Sequence, residues 1–276
     1  MLAEERRYRI VGILNERENG LASVTELSDL LEVSTMTIRR DLDWLEEKRL
    51  LRRVHGGAVI REALDDEKSF LERGDEFSQE KRLIGWAAAQ LVRDGEVIIL
   101  DAGTTTQQVA RHLDASKDLT VVTNAMPVAE EPSHYPHISA ILLGGMLKHR
   151  ELCTVGPPVT GELSRLSADK LFLSAAGFTL QKGATDPDLR ETEVKQAMIR
   201  AARQVILVID SSKWGVVTFA QITTLDAIHK IVTDDAIAAD AIEALEAEGV
   251  EVITPSLLTR EVVLEHAFDE AQGSGS

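Results

Sequence analysis

Apolar residues recur at helical spacing three times in the first fifty positions. Ile10, Val11, Ile13 and Leu14 mark one side of a helix over about 3–16, ended by Asn19-Gly20. Leu27, Leu30 and Leu31 mark a second helix over about 25–31. Ser34 stands as N-cap of a third, running to about Lys48, in which Ile38, Leu42 and Leu45 fall at i, i+4 and i+7. The segment 50–59, LLRRVHGGAV, reads as a β-ribbon turning at Gly56-Gly57. From Gln79 onward short Val/Ile/Leu-rich runs alternate with helical ones. Strands are expected at 96–100, 119–123, 138–143, 170–174, 204–209, 230–232 and 251–253. Helices are expected at 79–91, from about Gln107, after 123, at 191–202 and at 236–248, with a helical turn near 224–227. This alternation predicts an α/β domain with a largely parallel sheet. Residues 60–77 mix Asp, Glu, Arg and Lys with apolar anchors at Leu64, Phe70 and Leu71, and read as a linker. The expected division is therefore 1–59, a linker at 60–77 and a second domain at 78–272, with Gly273-Ser274-Gly275-Ser276 as a disordered tail.

Composition narrows the class. At 276 residues, 44% hydrophobic and 28% charged, the chain is globular rather than disordered or fibrous. No run of 18 apolar residues is present, and no apolar h-region follows Met1, so neither a membrane span nor a signal peptide is expected. The one cysteine, Cys153, cannot form an internal disulfide, which fits a reducing cytoplasm. The net charge of −16 argues against whole-surface attraction to nucleic acid, but its distribution is uneven. Residues 1–60 carry 10 Lys+Arg against 11 Asp+Glu, a net of −1; the remainder carries 20 against 35, a net of −15. Arg39-Arg40 and Lys48-Arg49 with Arg52-Arg53 form basic clusters in the near-neutral part, and a local basic patch binds phosphates even on an acidic chain.

Two short helices joined by a tight turn, the second with polar and basic groups on its first turns, suit the major groove of DNA. Ser34, Thr35, Thr37, Arg39 and Arg40 occupy those turns, with Arg52, Arg53 and His55 on the ribbon. The same spacing also describes a small three-helix bundle with solvated arginines. Val33-Ser34-x-x-Thr37-Ile38-Arg39-Arg40-Asp41-Leu42, Leu45-Glu46 and Arg53-x-His55-Gly56-Gly57-Ala58 together resemble the DeoR family of bacterial transcriptional regulators. The resemblance implies a winged helix-turn-helix that reads operator DNA.

In a parallel sheet, ligands bind in the loops at the carboxyl ends of the strands. The first such loop here is Asp101-Ala102-Gly103-Thr104-Thr105-Thr106, leading into a helix. Backbone N–H groups and the helix dipole favour an anion there; a plain N-cap is the other reading. No Gly-Lys-Ser/Thr follows, so the loop is not a Walker A motif. Thr123-Asn124, Gly144-Gly145 and Asp210-Ser211-Ser212-Lys213 follow later strands. Glu191 and Lys195 stand i, i+4 on a helix, a spacing that surface pairs also use. Together these groups suit a phosphorylated polyol, with Lys and N–H groups for phosphate and acids for hydroxyls.

These segments also resemble the effector domain of the same family, so the resemblance spans about residues 5–235. It implies a fold like ribose-5-phosphate isomerase and a phosphorylated sugar as effector. By motif, Asp101, Gly103, Thr104, Thr105 and Thr106 match the phosphate loop; Thr123, Asn124, Gly144, Gly145, Glu191, Lys195, Asp210 and Lys213 would line the rest. Where the isomerases carry an acid-rich turn, this chain has Ser174-Ala175-Ala176-Gly177-Phe178, which argues for binding without catalysis.

His134 and His137 lack a third metal ligand nearby and read as a Pro-flanked surface loop. Cys153 lacks a resolving cysteine and reads as a passive thiol. Trp44 is expected behind the third helix, and Trp214 either stacks on a ligand or fills the core. The expectation is a cytoplasmic, homo-oligomeric (dimer or tetramer) repressor of a carbohydrate-metabolism operon. Its partners would be double-stranded operator DNA and a phosphorylated sugar. It would have no catalytic residue, metal or cofactor. The alternative is a sugar-phosphate isomerase-like enzyme with an accessory DNA-binding domain; a vestigial pocket is a third reading.

Overall fold

The computed structural model describes residues 2–15, 17, 21–48, 50–54, 56–60 and 69–259. The chain divides between Lys68 and Ser69 into two units. In the first, helices form where the apolar spacing places them: α1 (Ala3–Asn15), α2 (Val24–Leu31) and α3 (Thr35–Glu47). Ser23 caps α2 in a capping box with Glu26, and Ser34 caps α3 by accepting the Thr37 N–H at 3.2 Å. Glu32 turns the chain between them in the left-handed region, φ 53°. Ile10, Leu14, Leu27, Ile38, Leu42 and Leu45 are fully buried together. The ribbon has a third strand that period-2 patterning does not reveal. β1 (Leu21–Ser23) pairs antiparallel with β3 (Gly57–Ile60), which pairs with β2 (Leu51–Val54). Three residues are too few to show alternation, and the pairing is set by Gly57. A Cβ there would lie 2.3 Å from the Ala22 carbonyl oxygen. The expected stop at Asn19-Gly20, together with Arg49, His55, Leu64 and the tail, lies outside the described residues.

The second unit begins earlier than the pattern suggests. Residues 69–77, read from the sequence as linker, belong to it: Ser69 caps α4 (Phe70–Asp75), and Phe70 is buried with its N–H on the Arg150 carbonyl at 2.9 Å. Leu71, the neighbouring anchor, is exposed. α5 (Ser78–Ala89) then leads to β4 (Val97–Leu100). The seven expected strands all form: β4, β5 (Leu119–Thr123), β6 (Ile138–Leu142), β9 (Ala168–Leu173), β12 (Ala202–Val208), β14 (Lys230–Val232) and β15 (Glu251–Ile253). They build one parallel sheet in the order β15-β14-β12-β9-β4-β5-β6. The chain starts at β4, moves outward to β6, then returns to place β9 on the other side of β4. The order therefore reverses between β4 and β9, the switch point at whose carboxyl ends sheets of this kind form a ligand crevice.

Helices α6 (Thr104–Arg111), α7 (Met126–Glu130), α9 (Leu189–Ala201) and α10 (Ala239–Ala247) join the strands. α6 begins three residues before the expected Gln107, with Gly103 as N-cap. The threonine run hides this start, because β-branched residues are poor interior helix formers yet fit a first turn. Three features escape the sequence pattern: the hairpin of β7 (Met146–Lys148) and β8 (Cys153–Val155), helix α8 (Pro157–Leu163), and a second sheet of β10 (Gly177–Thr179), β11 (Gly183–Asp186) and β13 (Ala220–Thr223). Their strands are three or four residues long, and tertiary pairing rather than periodicity defines them.

Candidate functional site

On the first unit, Arg39 and Arg40 lie exposed on α3, and neither guanidinium has an ion pair among the described residues. Thr35 is exposed beside them. Ser34 and Thr37 share a hydroxyl hydrogen bond of 2.9 Å as part of the cap, so they shape the helix start. The next residue of the motif, Asp41, faces inward: it is 2% exposed and accepts from Arg6 Nε at 2.5 Å and Arg7 Nε at 2.9 Å, tying α3 to α1. Arg7 also lies over the Trp44 ring, 4.2 Å from its centre, so Trp44 sits behind α3. On the ribbon, Arg52 is exposed. Arg53 is instead a strut, its guanidinium on Asp43 and its N–H on Glu46 at 2.7 Å.

In the second unit, the crevice between β4 and β9 is floored by a buried charge network. Asp101 follows β4. Its Oδ1 accepts the Ala102 N–H at 2.7 Å; its Oδ2 accepts the Ser174 N–H at 3.0 Å, the Ser174 hydroxyl at 2.7 Å and the Lys195 ammonium. Lys195 Nζ also donates to the Ser174 carbonyl at 3.2 Å and Ser174 Oγ at 3.1 Å, and lies 3.7 Å from Asp186. All three of its donors are thus used within the fold. Burial opposes the Lys195 charge, but Asp101 and Asp186 outweigh it and hold the ammonium above its usual range. Burial pushes Asp186 up to about 7, against the pull of Lys195 and with help from Glu191.

Glu191 and Lys195 do not pair with each other. Glu191 accepts from Lys148 Nζ at 2.6 Å, and Lys148 also reaches Asp188 at 2.7 Å. Asp188 caps α9 by accepting the N–H groups of Arg190 and Glu191. Burial opposes the Lys148 charge too, but Glu191 and Asp188 raise it above the usual range. Beside this network, burial first and then Glu191 push the Cys153 thiol up, which makes it a poor nucleophile.

Other groups keep hydrogen-bonding capacity. The N–H groups of Thr104, Thr105 and Thr106 precede the first main-chain bond of α6, which Gln107 donates to Gly103. The Thr106 hydroxyl is spent, donating to the carbonyls of Asp101 at 2.7 Å and Gly103 at 2.9 Å. Gly103 is required by close approach, since a Cβ would lie 2.8 Å from Ser174 Oγ. Asn124 is 1% exposed; its Nδ2 donates to the Thr154 carbonyl at 2.8 Å, while Oδ1 has no partner. Thr123 Oγ1 accepts the Ala125 N–H. Gly145 makes room for Val159 and the Val155 carbonyl, whereas Gly144 stands in open space. Asp210, buried, accepts from Ser212. Lys213 is half-buried, and its ammonium has no partner among the described residues. Trp214 packs against Phe178, ring centres 5.6 Å apart, on the core side.

Sequence reasoning missed Lys148, Ser174, Asp186 and Asp188. Ser174 carried the same strand-end signal as Asp101. Asp188 with Glu191 carried the N-cap pattern of a helix start. Lys148 and Asp186 carried no local signal, because each enters the site through a long-range contact.

A family model described as "DeoR-like helix-turn-helix domain" matches residues 6–63, and one described as "DeoR C terminal sensor domain" matches residues 76–235. The uncharacterized HTH-type transcriptional regulator YulB of Bacillus subtilis is 39% identical over 94% of this chain and 100% of its own. The HTH-type transcriptional regulator GlpR of Haloferax volcanii is 36% identical over 92% and 98%. The HTH-type transcriptional repressor GlcR of Bacillus subtilis is 35% identical over 92% and 96%. Among solved structures, ribose 5-phosphate isomerase A of Methanocaldococcus jannaschii covers 50% of this chain and 54% of its own, at 17% identity and a TM-score of 0.37.

Proposed function

The chain belongs to the DeoR family of transcriptional regulators, and on that premise we propose a repressor whose hold on operator DNA is set by a phosphorylated sugar. Arg39, Arg40, Thr35 and Arg52 contact DNA, and His55 of the same sequence motif is assigned to that contact as well; Ser34, Thr37 and Arg53 hold the reading helix and wing in shape. A symmetric dimer or tetramer presents two such helices to half-sites about one DNA turn apart, or a multiple of it. The relative named a repressor supplies the sign of regulation, and the setting is the cytoplasm.

The observation that carries the effector reading is the unspent capacity at the β4/β9 crevice. The Thr104–Thr106 N–H groups, the Lys213 ammonium and the buried Asn124 Oδ1 have no protein partner among the described residues. Donors at a helix N-terminus with a nearby ammonium suit a phosphate, and an amide oxygen suits a sugar hydroxyl. Asp101, Glu191 and Lys195 act as positioning groups, because their charges are satisfied by Lys195, Lys148 and Asp101. This role differs from isomerase chemistry, which needs a free general base. Thr123, Gly144, Gly145, Thr106 and Asp210 shape the loops around the ligand.

The test is a thermal-shift panel of phosphorylated and unphosphorylated sugars on the full chain, followed by DNA binding with the best ligand. Concentration-dependent stabilisation by one phosphorylated sugar, with altered DNA affinity, is expected. Lys213→Ala should blunt the response while DNA affinity stays within about twofold. A panel in which no phosphate stabilises the protein sinks the effector reading. Turnover of an aldose phosphate would favour the isomerase alternative.

A further inference from the structure

The outward face of α3 changes character along its length. Its last turns expose Asp43, Glu46 and Glu47. The ribbon holds two of these acids: the Arg53 guanidinium pairs with Asp43, and the Arg53 N–H bonds Glu46 at 2.7 Å. Its first turns expose Thr35, Met36, Arg39 and Arg40, with no acid among them. The acidic half repels a phosphate backbone and the basic half attracts it, so charge confines DNA to the first turns.

Met36 stands in the middle of that half and is 58% exposed. Helical spacing puts it across the helix from the buried Ile38 and Leu45, and beside Arg39 and Arg40 at i+3 and i+4. It therefore adds little to the core of the first unit. Leu30 on α2 is also 58% exposed, but the exposed acids Glu26, Asp29 and Glu32 flank it and keep an anionic duplex away. Met36 is thus the large apolar side chain that charge brings to DNA. An unbranched, polarizable thioether adapts its shape to an apolar group and offers a base edge only a weak acceptor. The apolar group that a duplex presents in its major groove is the C5 methyl of thymine.

We propose that Met36 is a specificity-determining residue that reads a thymine methyl group in the major groove, flanked by the contacts of Arg39 and Arg40. The inference rests on the DNA-binding reading of α3. It adds a preference that the arginines do not supply, since their forks take guanine edges or phosphates.

The experiment starts from a duplex that the full chain selects out of a random-sequence library. Each thymine of that duplex is replaced in turn by deoxyuridine, which keeps the base pair and removes only the methyl group. Fluorescence anisotropy at one fixed salt concentration gives the Kd values. For wild type, one thymine position in each half-site should lose about fourfold in affinity without its methyl, the transfer value of one buried carbon. Met36→Ala should bind the thymine duplex about fourfold more weakly and lose nothing further on the deoxyuridine duplex. Met36→Leu should keep the wild-type discrimination. The ratio of two Kd values within one variant does not depend on how much of that variant is folded. Equal deoxyuridine losses in wild type and Met36→Ala overturn the proposal, and so does a selected duplex in which no thymine responds. Both results leave the DNA-binding reading standing. A full chain that selects no duplex overturns that reading and the proposal with it.

Discussion

Single side chains here divide into those that saturate one another and those that do not. Asp41 stands in the motif that points to DNA, yet its carboxylate is consumed by Arg6 and Arg7. Asp41→Ala should cost the first unit about 3 kcal/mol, because it removes the buried carboxylate that the Arg6 and Arg7 guanidinium groups share. Chemical denaturation of the variant checks this, and an unchanged midpoint would remove the clamp from the account. Arg39→Ala with Arg40→Ala should leave that midpoint unchanged and abolish DNA binding, since both side chains are exposed and have no ion pair among the described residues. Unchanged affinity in a gel-shift or anisotropy assay would overturn the assignment of α3. Asp186 supplies a pH dependence. Its folded pKa lies above the ordinary 3.8, so the fold favours the protonated form. That contribution is fully present below about pH 4 and declines as pH rises to about 7. Asp186→Asn should therefore gain stability relative to wild type between pH 4 and 7, and melting curves across that range would show a flat difference if the assignment were wrong.

At the scale of elements, close approach explains what residue preference cannot. β3 reaches β1 only because Gly57 lacks a side chain: an added Cβ would meet the Ala22 carbonyl oxygen at 2.3 Å and Ser23 Cα at 2.9 Å. Gly57→Ala should separate the strands and cost about 1–3 kcal/mol, read as an earlier unfolding midpoint. Helix starts follow local chemistry. Ser23, Ser34, Ser69 and Asp188 cap their helices with side-chain oxygens, and three of those four helices begin within two residues of their expected positions. The fourth, α4, has six residues and gives no periodic signal. α6, like α5 and α10, has no side-chain cap: its N-cap is Gly103, and its first turn keeps its N–H groups for another acceptor.

For the whole molecule, two units with separate cores predict two calorimetric transitions. A phosphorylated effector at about 100 times its Kd should stabilise the second unit by about 2.7 kcal/mol and raise the transition that residues 69–276 contribute. A shift confined to the other transition would misplace the site. Most of the helices, the Ser34 cap and all seven parallel strands were legible in the sequence, as were the strand-end loops at Asp101, Thr123, Gly144 and Asp210. These features rest on periodicity, capping and strand-end chemistry, which act between residues a few positions apart. The tertiary structure alone decided which of those polar groups are spent. Asp101 meets Lys195 across 94 positions, Lys148 meets Glu191 across 43, and Arg6 meets Asp41 across 35. No local pattern encodes such distances, because strand order brings the partners together.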